Sequence, residues 1–446
     1  MANVKFKVQP GGTIKGRIRV PGDKSISHRS IMLGALAEGV TTVTGFLEGD
    51  DALATLQAFR EMGVEIEGPN NGNVTINGVG LRGLKKPNKP LDMGNSGTST
   101  RLLAGILAGQ DFDCELVGDA SLSKRPMKRV TDPLRLMGAE LETAEGGTLP
   151  MIIHGKGQAL KAIDYTLPMA SAQVKSCVLL AGLFAEGTTC ALEPAPTRDH
   201  TERMLNGFGY EVHSEKLDSQ KMKACLKGGG SLKGRHIDVP SDISSAAFFM
   251  AAAAASKDSD LVIEHVGMNP TRVGIIDILK LMGANIQLEN FHEVGGEPVA
   301  DVHVRYAPLK GIHIPEELVA LAIDEFPVLF VVASTAEGQT VLTGAEELRV
   351  KESDRIQVMA DALMAVGVDA QPTPDGMIIN GGKQSPQNAE IQSHHDHRIS
   401  MAMTIAGLNA ASEIVIDDCA NVNTSFPIFI DLINQVGMSV EVIEEA

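Results

Sequence analysis

Cations recur in this chain where helix-like segments begin, in spacings suited to phosphate and carboxylate. Lys24-Ser25-Ile26-Ser27-His28-Arg29 places Ser25 and Arg29 four residues apart, on one helix face. Ser123-Lys124-Arg125-Pro126-Met127-Lys128-Arg129 holds four cations, and Pro126 breaks any regular helix, so Arg125 is presented from a rigid turn. Arg198-Asp199-His200-Thr201-Glu202 reads as a charged helix start. Val350-Lys351-Glu352-Ser353-Asp354-Arg355 sets Lys351 and Arg355 on one face beside Glu352, and Arg398 follows Asp396-His397. Free N–H groups and the helix dipole make each start attractive to negative charge, by ~0.3–1 kcal/mol when exposed. A lysine just inside such a start, as Lys24 is, conflicts with the dipole unless an anionic ligand is present. Each cluster also has a plain alternative: a solvated lysine, a loop, or a surface ion-pair network worth under ~1 kcal/mol. Asp324 has no cation beside it in the sequence and is a candidate base.

Other patterns carry no chemistry. Gly78-Val79-Gly80-Leu81-Arg82-Gly83 fits a dinucleotide fingerprint, but Pro87 and Pro90 prevent a helix from opening there. Ser121-Leu122-Ser123-Lys124 lacks its companion motifs. His394-His395-Asp396-His397 are chain neighbours that point in different directions, so no metal is expected.

Two interleaved series position the cations. In one, a glycine ends a helix-like segment and an alternating strand follows: Gly63, Gly138, Gly209, Gly283, Gly367 and Gly437. The interval is roughly 70 to 84 residues, which marks one folding unit used repeatedly. The glycine fits a helix C-cap, where positive φ is cheap only without a Cβ. In the other, a polar start precedes an apolar helix: Gly22-Asp23, Asn95-Ser96, Ala170-Ser171, Ser241-Asp242, Asp324-Glu325 and His395-Asp396. Strands are expected over 40–45, 112–118, 261–266, 340–344 and 413–417. A larger duplication relates Gly11-Gly12-Thr13-Ile14-Lys15-Gly16-Arg17 to Gly229-Gly230-Ser231-Leu232-Lys233-Gly234-Arg235, half a chain away. The chain thus reads as two halves of three mixed α/β units: a first lobe over 20–234, and a second from 1–19 with 235–446. Hinges are expected near 11–22 and 228–240.

The 446 residues suffice for two or three domains, and 43% hydrophobic with 21% charged residues is ordinary globular composition. A net charge of −17 argues against nucleic acid or an anionic membrane as a partner. MANVKFKVQPGG lacks the apolar stretch of a signal peptide, and the scattered cysteines, read as reduced thiols, point to the cytoplasm. The most apolar run, 243–255, is too short to span a bilayer and reads as a buried helix. Five scattered cysteines without zinc or CxxC spacing read as reduced thiols.

The residues resemble the 5-enolpyruvylshikimate-3-phosphate synthase family (3-phosphoshikimate 1-carboxyvinyltransferases) over essentially the whole chain. Gly22-Asp23-Lys24-Ser25, Ser171-Ala172-Gln173-Val174-Lys175, Arg198-Asp199-His200-Thr201-Glu202 and Asn269-Pro270-Thr271-Arg272 look like the four motifs of its second class. Gly94-Asn95-Ser96-Gly97-Thr98 and Lys124-Arg125-Pro126-Met127 are similar to further family motifs. The resemblance implies an α/β, two-lobed enolpyruvyl transferase fold (an inside-out α/β barrel) of six βαβαββ-type repeats, three per lobe, with helix N-termini facing a cleft. It implies transfer of the enolpyruvyl group from phosphoenolpyruvate to shikimate 3-phosphate, with no cofactor, and it suggests a monomer.

Roles carried by the resemblance fall on the clusters above. Ser25 and Arg29 look like contacts to the shikimate carboxylate. Ser171, Ala172, Arg198 and Lys351 look like the site of its 3-phosphate, and Gln173 reaches both substrates. Lys24, Gly97, Arg125, Arg355 and Arg398 look like the phosphoenolpyruvate site, where glyphosate competes. Asp324 is the expected base for the 5-hydroxyl and Glu352 the acid for the methylene carbon, with Lys24 assisting. Two departures stand out. Ala172 replaces a second phosphate-binding serine of much of the family, a contact that Arg198 would supply. Thr424 stands where the first class has a lysine.

Overall fold

The computed structural model describes residues 3–157, 159–218, 221–382 and 389–445. The chain forms two compact units. The first takes Gly22–Val239 with Val294–Glu297, and the second takes Met1–Pro21, Pro240–Glu293 and Pro298–Ala446. The sequence boundary at 234 falls between two strands that both run parallel to Ala37–Thr44: Leu232–Lys233 before it and His236–Asp238 after it, with Ile237 opposite Val43. Residues 235–239 therefore pack with the first unit.

The first unit holds three sheets of one plan. In the middle one, Leu91–Asp92 runs parallel to Cys114–Val117, which is antiparallel to Thr148–His154 and through it to Glu140–Ala144. The same order recurs as Asp164–Thr166, Thr188–Glu193, Met222–Lys227 and Val212–Lys216. It recurs again with His236–Asp238, Ala37–Thr44, Asn73–Val79 and Glu65–Asn70. The parallel pair needs a helical crossover and the antiparallel pair only a short turn, so each repeat mixes helix and strand.

The second unit repeats the plan with borrowed strands. Lys15–Ile18 runs parallel to Asp260–Gly267, followed by Glu297–Arg305 and Asn285–Val294. Gly338–Leu342, Gly376–Gly381 and Asp369–Thr373 form a three-stranded sheet. In the last sheet Asn3–Val8 lies between Ile414–Asp417 and Val440–Glu445, with Ala389–Gln392 outermost. The five strands expected from the sequence all form, with ends shifted by a few residues.

Six apolar helices follow the polar starts: Lys24–Leu36, Gly97–Leu107, Ala172–Gly182, Ile243–Ala255, Phe326–Thr335 and His397–Ala406. Asp23, Ser96, Ser171, Asp242 and Asp396 cap five of them, each side chain accepting from a backbone N–H of the first turn. These bonds satisfy donors that a helix start otherwise leaves unpaired. The helices are buried nearly all round; Ile243–Ala255 is buried at every residue through Ala254. Truncating a fully buried Leu179 or Met403 to alanine is expected to cost about 2–5 kcal/mol. Segment Glu316–Thr335 has the length and apolarity of a membrane span, yet 67% of its most apolar 18-residue window is buried inside the protein. Its course is kinked at Ala322, where φ is −133°.

The second helix series ends as expected. Gly63, Gly138, Gly209, Gly283, Gly367 and Gly437 all lie at positive φ, between 81° and 126°. Helices Gly97–Leu107 and Ala172–Gly182 approach closely at Gly105, where a Cβ would stand 2.4 Å from the Cys177 carbonyl oxygen. Nearer their starts the two helices are joined by Gln173, which bonds Arg101 and Thr98.

The cysteine expectation is corrected in part. Cys190 and Cys225 are bonded. They are direct partners in the antiparallel ladder of Thr188–Glu193 and Met222–Lys227, with Cα atoms 4.1 Å apart. Such opposition cannot be seen from a separation of 35 residues. Cys114, Cys177 and Cys419 are free and buried, and burial pushes each thiol up to about 12.

Candidate active site

In the first unit, Lys24 opens the helix Lys24–Leu36. Its Nζ lies 3.0 Å from Asp51 Oδ2. This carboxylate, in the first turn of the next helix, relieves the conflict between a lysine and the helix dipole without any ligand. Arg29, one turn further, is almost fully buried. Its Nε donates to Thr201 Oγ1 at 2.7 Å, one terminal nitrogen to the Ser25 carbonyl at 2.9 Å, and the other to Ser176 Oγ at 3.0 Å. Burial lowers its pKa from 12.5 to about 10, and nearby Arg198 adds to this, against the pull of Glu202, Asp23 and Glu297. An incoming anion is favoured where a cation is held at such a cost.

Of the four cations around Pro126, only Arg125 is half-buried; Lys124, Lys128 and Arg129 are exposed. Leu122–Lys124 is a single 3₁₀ turn and the next helix starts at Lys128, so Arg125 lies in the extended link between them. It donates to Asn95 Oδ1 at 2.8 Å. Gly97 adjoins it: a Cβ there would stand 3.0 Å from a terminal nitrogen of Arg101 and 3.2 Å from one of Arg125. Gln173 is held from the neighbouring helix, accepting from Arg101 at 2.6 Å and donating to Thr98 Oγ1 at 3.0 Å. Ser171 caps that helix and Ala172 begins it. Arg198 sits half-buried in the connection just before helix His200–Gly207.

In the second unit, Arg355 gathers the acidic residues. Its Nε lies 2.8 Å from Asp396 Oδ2, and a terminal nitrogen lies 3.2 Å from Asp396 Oδ1 and 2.7 Å from Glu352 Oε2. The other terminal nitrogen lies 3.4 Å from Asp324 Oδ1. Burial works against the charged guanidinium, but Asp396, Glu352 and Asp324 together raise its pKa above the ordinary value. Lys351 Nζ lies 3.7 Å from the same Asp324 oxygen. The isolation of Asp324 read from its sequence neighbours is therefore corrected: two cations distant in sequence reach it, Lys351 just after a 3₁₀ turn and Arg355 at the start of helix Arg355–Ala365. Arg398 donates to the Asp324 backbone carbonyl at 3.1 Å and lies 3.8 Å from Glu325.

The structure thus gathers Lys24, Ser25, Arg29, Gly97, Arg125, Ser171, Ala172, Gln173 and Arg198 in the first unit. It gathers Asp324, Lys351, Glu352, Arg355 and Arg398 in the second. Sequence reasoning missed Asp51 and Arg101, and it saw Asn95, Glu325 and Asp396 only as parts of helix starts. Among the described residues no group of three His, Cys, Asp or Glu side chains is placed to hold a metal ion. Thr424 closes a 3₁₀ turn, its hydroxyl bonded to the Asn421 carbonyl.

Comparison with known proteins extends over the same residues. The family model for EPSP synthase (3-phosphoshikimate 1-carboxyvinyltransferase) matches residues 8–433. A 3-phosphoshikimate 1-carboxyvinyltransferase of Hydrogenovibrio crunogenus is 77% identical over 442 residues, 99% of each chain. One of Alkalilimnicola ehrlichii is 63% identical over 436 residues, 98% of this chain and 96% of that one. A solved EPSP synthase from Acinetobacter baumannii matches at a TM-score of 0.89 and 60% identity, covering 99% of this chain and 100% of that one. The enolpyruvyl transferase NikO from Streptomyces tendae, 15% identical, matches at 0.80 over the full length of both and shows the shared fold. By this similarity across nearly its whole length, the chain belongs to the EPSP synthase family, in the enolpyruvyl transferase fold.

Proposed function

We propose that this chain transfers the enolpyruvyl group of phosphoenolpyruvate to the 5-hydroxyl of shikimate 3-phosphate and releases inorganic phosphate, a step toward chorismate and the aromatic amino acids. The observation that carries the reading is the pair of carboxylates on one buried guanidinium. Glu352 and Asp324 both contact Arg355, which keeps two potential proton carriers close to a fixed cation. Anion binding alone gives no reason for that pair.

In this reading Asp324 accepts the 5-hydroxyl proton as the oxygen attacks C2 of phosphoenolpyruvate. Glu352, assisted by Lys24, delivers a proton to the methylene carbon, and a tetrahedral intermediate forms. Loss of a proton from the new methyl group then expels phosphate and restores the double bond. Ser25 and Arg29 take the shikimate carboxylate. Ser171, Ala172, Gln173, Arg198 and Lys351 take the 3-phosphate. Gly97, Arg125, Arg355 and Arg398, with Lys24 and Gln173, take phosphoenolpyruvate. Guanidinium forks suit both anions. Because Asp396, Glu352 and Asp324 already hold Arg355, an anionic substrate displaces Glu352 or Asp324 from it, which frees that carboxylate for proton transfer. Acid–base help is worth about 10²–10⁴-fold, whereas holding two polyanions in contact supplies ~7–11 kcal/mol, so positioning contributes more to the rate than proton transfer does. The reading includes glyphosate as a competitor for phosphoenolpyruvate, a monomeric chain and a cytoplasmic location.

The test is phosphate release from phosphoenolpyruvate with shikimate 3-phosphate as acceptor, beside UDP-N-acetylglucosamine as the sister acceptor. Release with the first alone is expected. Release only with the second moves the chain to another activity, and release with neither makes it a binding protein.

A further inference from the structure

One buried cluster lies outside the roles assigned above. Lys175 is 1% exposed, yet charged partners surround it. Its Nζ lies 3.0 Å from Glu193 Oε2 and 2.8 Å from Glu202 Oε1, both carboxylates equally withdrawn from water. Burial disfavours the ammonium, but Glu202 and Glu193 more than compensate and leave its pKa raised. A triad of this kind gives little net stability over packed apolar side chains. Its value is in what it holds in place.

The three members come from three segments. Lys175 is on the first turn of helix Ala172–Gly182, its N–H bonded to the Ser171 carbonyl. Glu193 ends the strand Thr188–Glu193, and its other oxygen accepts from the Thr197 hydroxyl, next to Arg198. Glu202 is on helix His200–Gly207, one residue from Thr201. Residues adjoining the triad hold Arg29: Ser176 and Thr201 bond each other at 2.7 Å and each accepts from its guanidinium. Lys175 and Glu202 are also the last residues of two sequence motifs that begin with Ser171 and Arg198.

We propose that Lys175 is a positioning residue for shikimate 3-phosphate: through Glu193 and Glu202 it fixes Arg198, Arg29 and the Ser171 helix start in one arrangement. This rests on the assignment of those three groups to that substrate. Lys175 touches no reacting atom, so its removal acts chiefly on shikimate 3-phosphate binding, with a smaller effect on phosphoenolpyruvate through Gln173, and not on the proton transfers.

Lys175→Met alone strands two buried carboxylates and risks unfolding. The test therefore uses Lys175→Met/Glu193→Gln/Glu202→Gln, which removes all three charges at similar volume. Steady-state kinetics, calorimetric binding of shikimate 3-phosphate and urea unfolding are measured on the full chain. The expected result is a KM for shikimate 3-phosphate raised about tenfold or more, with the KM for phosphoenolpyruvate within about twofold and kcat within about threefold. In an Arg198→Ala background the same substitutions raise that KM by clearly less than the tenfold seen alone, because part of their effect passes through Arg198 and the rest through Arg29 and the Ser171 helix start. A cooperatively folded triple variant with unchanged KM for shikimate 3-phosphate overturns the proposal. So does an equal rise for both substrates, or a full additional tenfold on top of Arg198→Ala. Wild-type protein that neither binds nor uses shikimate 3-phosphate removes the assigned activity and this proposal together. Wild-type activity with an unchanged variant removes the proposal alone.

Discussion

Arg355 and Asp396 form a two-pronged ion pair in which the arginine is 1% exposed and the aspartate not at all. Asp396 also caps helix His397–Ala406 through the Arg398 N–H and accepts from Ser353 Oγ at 2.9 Å. One carboxylate thus orients two of the arginines assigned to phosphoenolpyruvate.

Asp396→Ala leaves a guanidinium buried without its main partner, and such losses cost about 3–5 kcal/mol. Urea unfolding should show that loss, with Asp396→Asn intermediate because the amide oxygen still caps the helix. A KM for phosphoenolpyruvate raised in Asp396→Asn at nearly normal stability would separate orientation from folding. Wild-type stability in Asp396→Ala refutes the structural role.

Asp324→Ala and Glu352→Gln are expected to lower kcat by about 10²–10⁴-fold while calorimetry still detects shikimate 3-phosphate. Glu352→Gln keeps a hydrogen-bond acceptor for Arg355, so its binding should be the less disturbed. Loss of substrate binding in both variants would reassign the pair as structural.

Gly97→Ala places a methyl carbon about 3 Å from the guanidinium ends of Arg101 and Arg125, which must shift. We expect weaker glyphosate inhibition together with a higher KM for phosphoenolpyruvate, since both ligands are assigned to Arg125. Inhibition curves identical to wild type would rule out the steric account.

His28 controls part of the acid response. It is fully buried, bonded through Nδ1 to Thr55 Oγ1 at 2.8 Å and near Ser99 Oγ at 3.3 Å. Burial, then Lys24 and Arg29, depress its pKa well below 6.5. The unfolded chain therefore binds a proton at pH values where the folded one does not. Stability is complete above pH 6.5 and falls as the pH drops toward the folded pKa. The slope from this one group is at most about 1.4 kcal/mol per pH unit. His28→Asn, which cannot be protonated, should flatten that part of a Tm-versus-pH curve; an unaltered slope assigns the acid loss to other groups.

The parts legible in the sequence are those written locally. Capped starts such as Asp23 and Ser96, and C-terminal glycines such as Gly63, act within a few residues, so their pattern survives without a structure. Arg125 could be singled out from its neighbours because Pro126 constrains the backbone beside it. Contacts across long separations were not legible. Asp51 for Lys24, Asn95 for Arg125 and Asp396 for Arg355 depend on which helix starts the sheets bring together. The Cys190–Cys225 bond depends on strand register, which a one-residue slip would have destroyed.

The strand Asn3–Val8 also dictates an order of events during synthesis. Its partners, with Phe6 opposite Ile416 and Val442, are made about 410 residues or more after it. At about 5–20 residues per second, the nascent strand waits roughly 20–80 s with both edges unpaired. Meanwhile every strand of the Gly22–Val239 sheets has left the ribosome. That unit can therefore fold while the chain is still growing, whereas the other cannot close this sheet until Ile414–Asp417 and Val440–Glu445 have emerged. Phe6 and Val8, buried in the finished sheet, are apolar residues that a chaperone would have to shield in that interval.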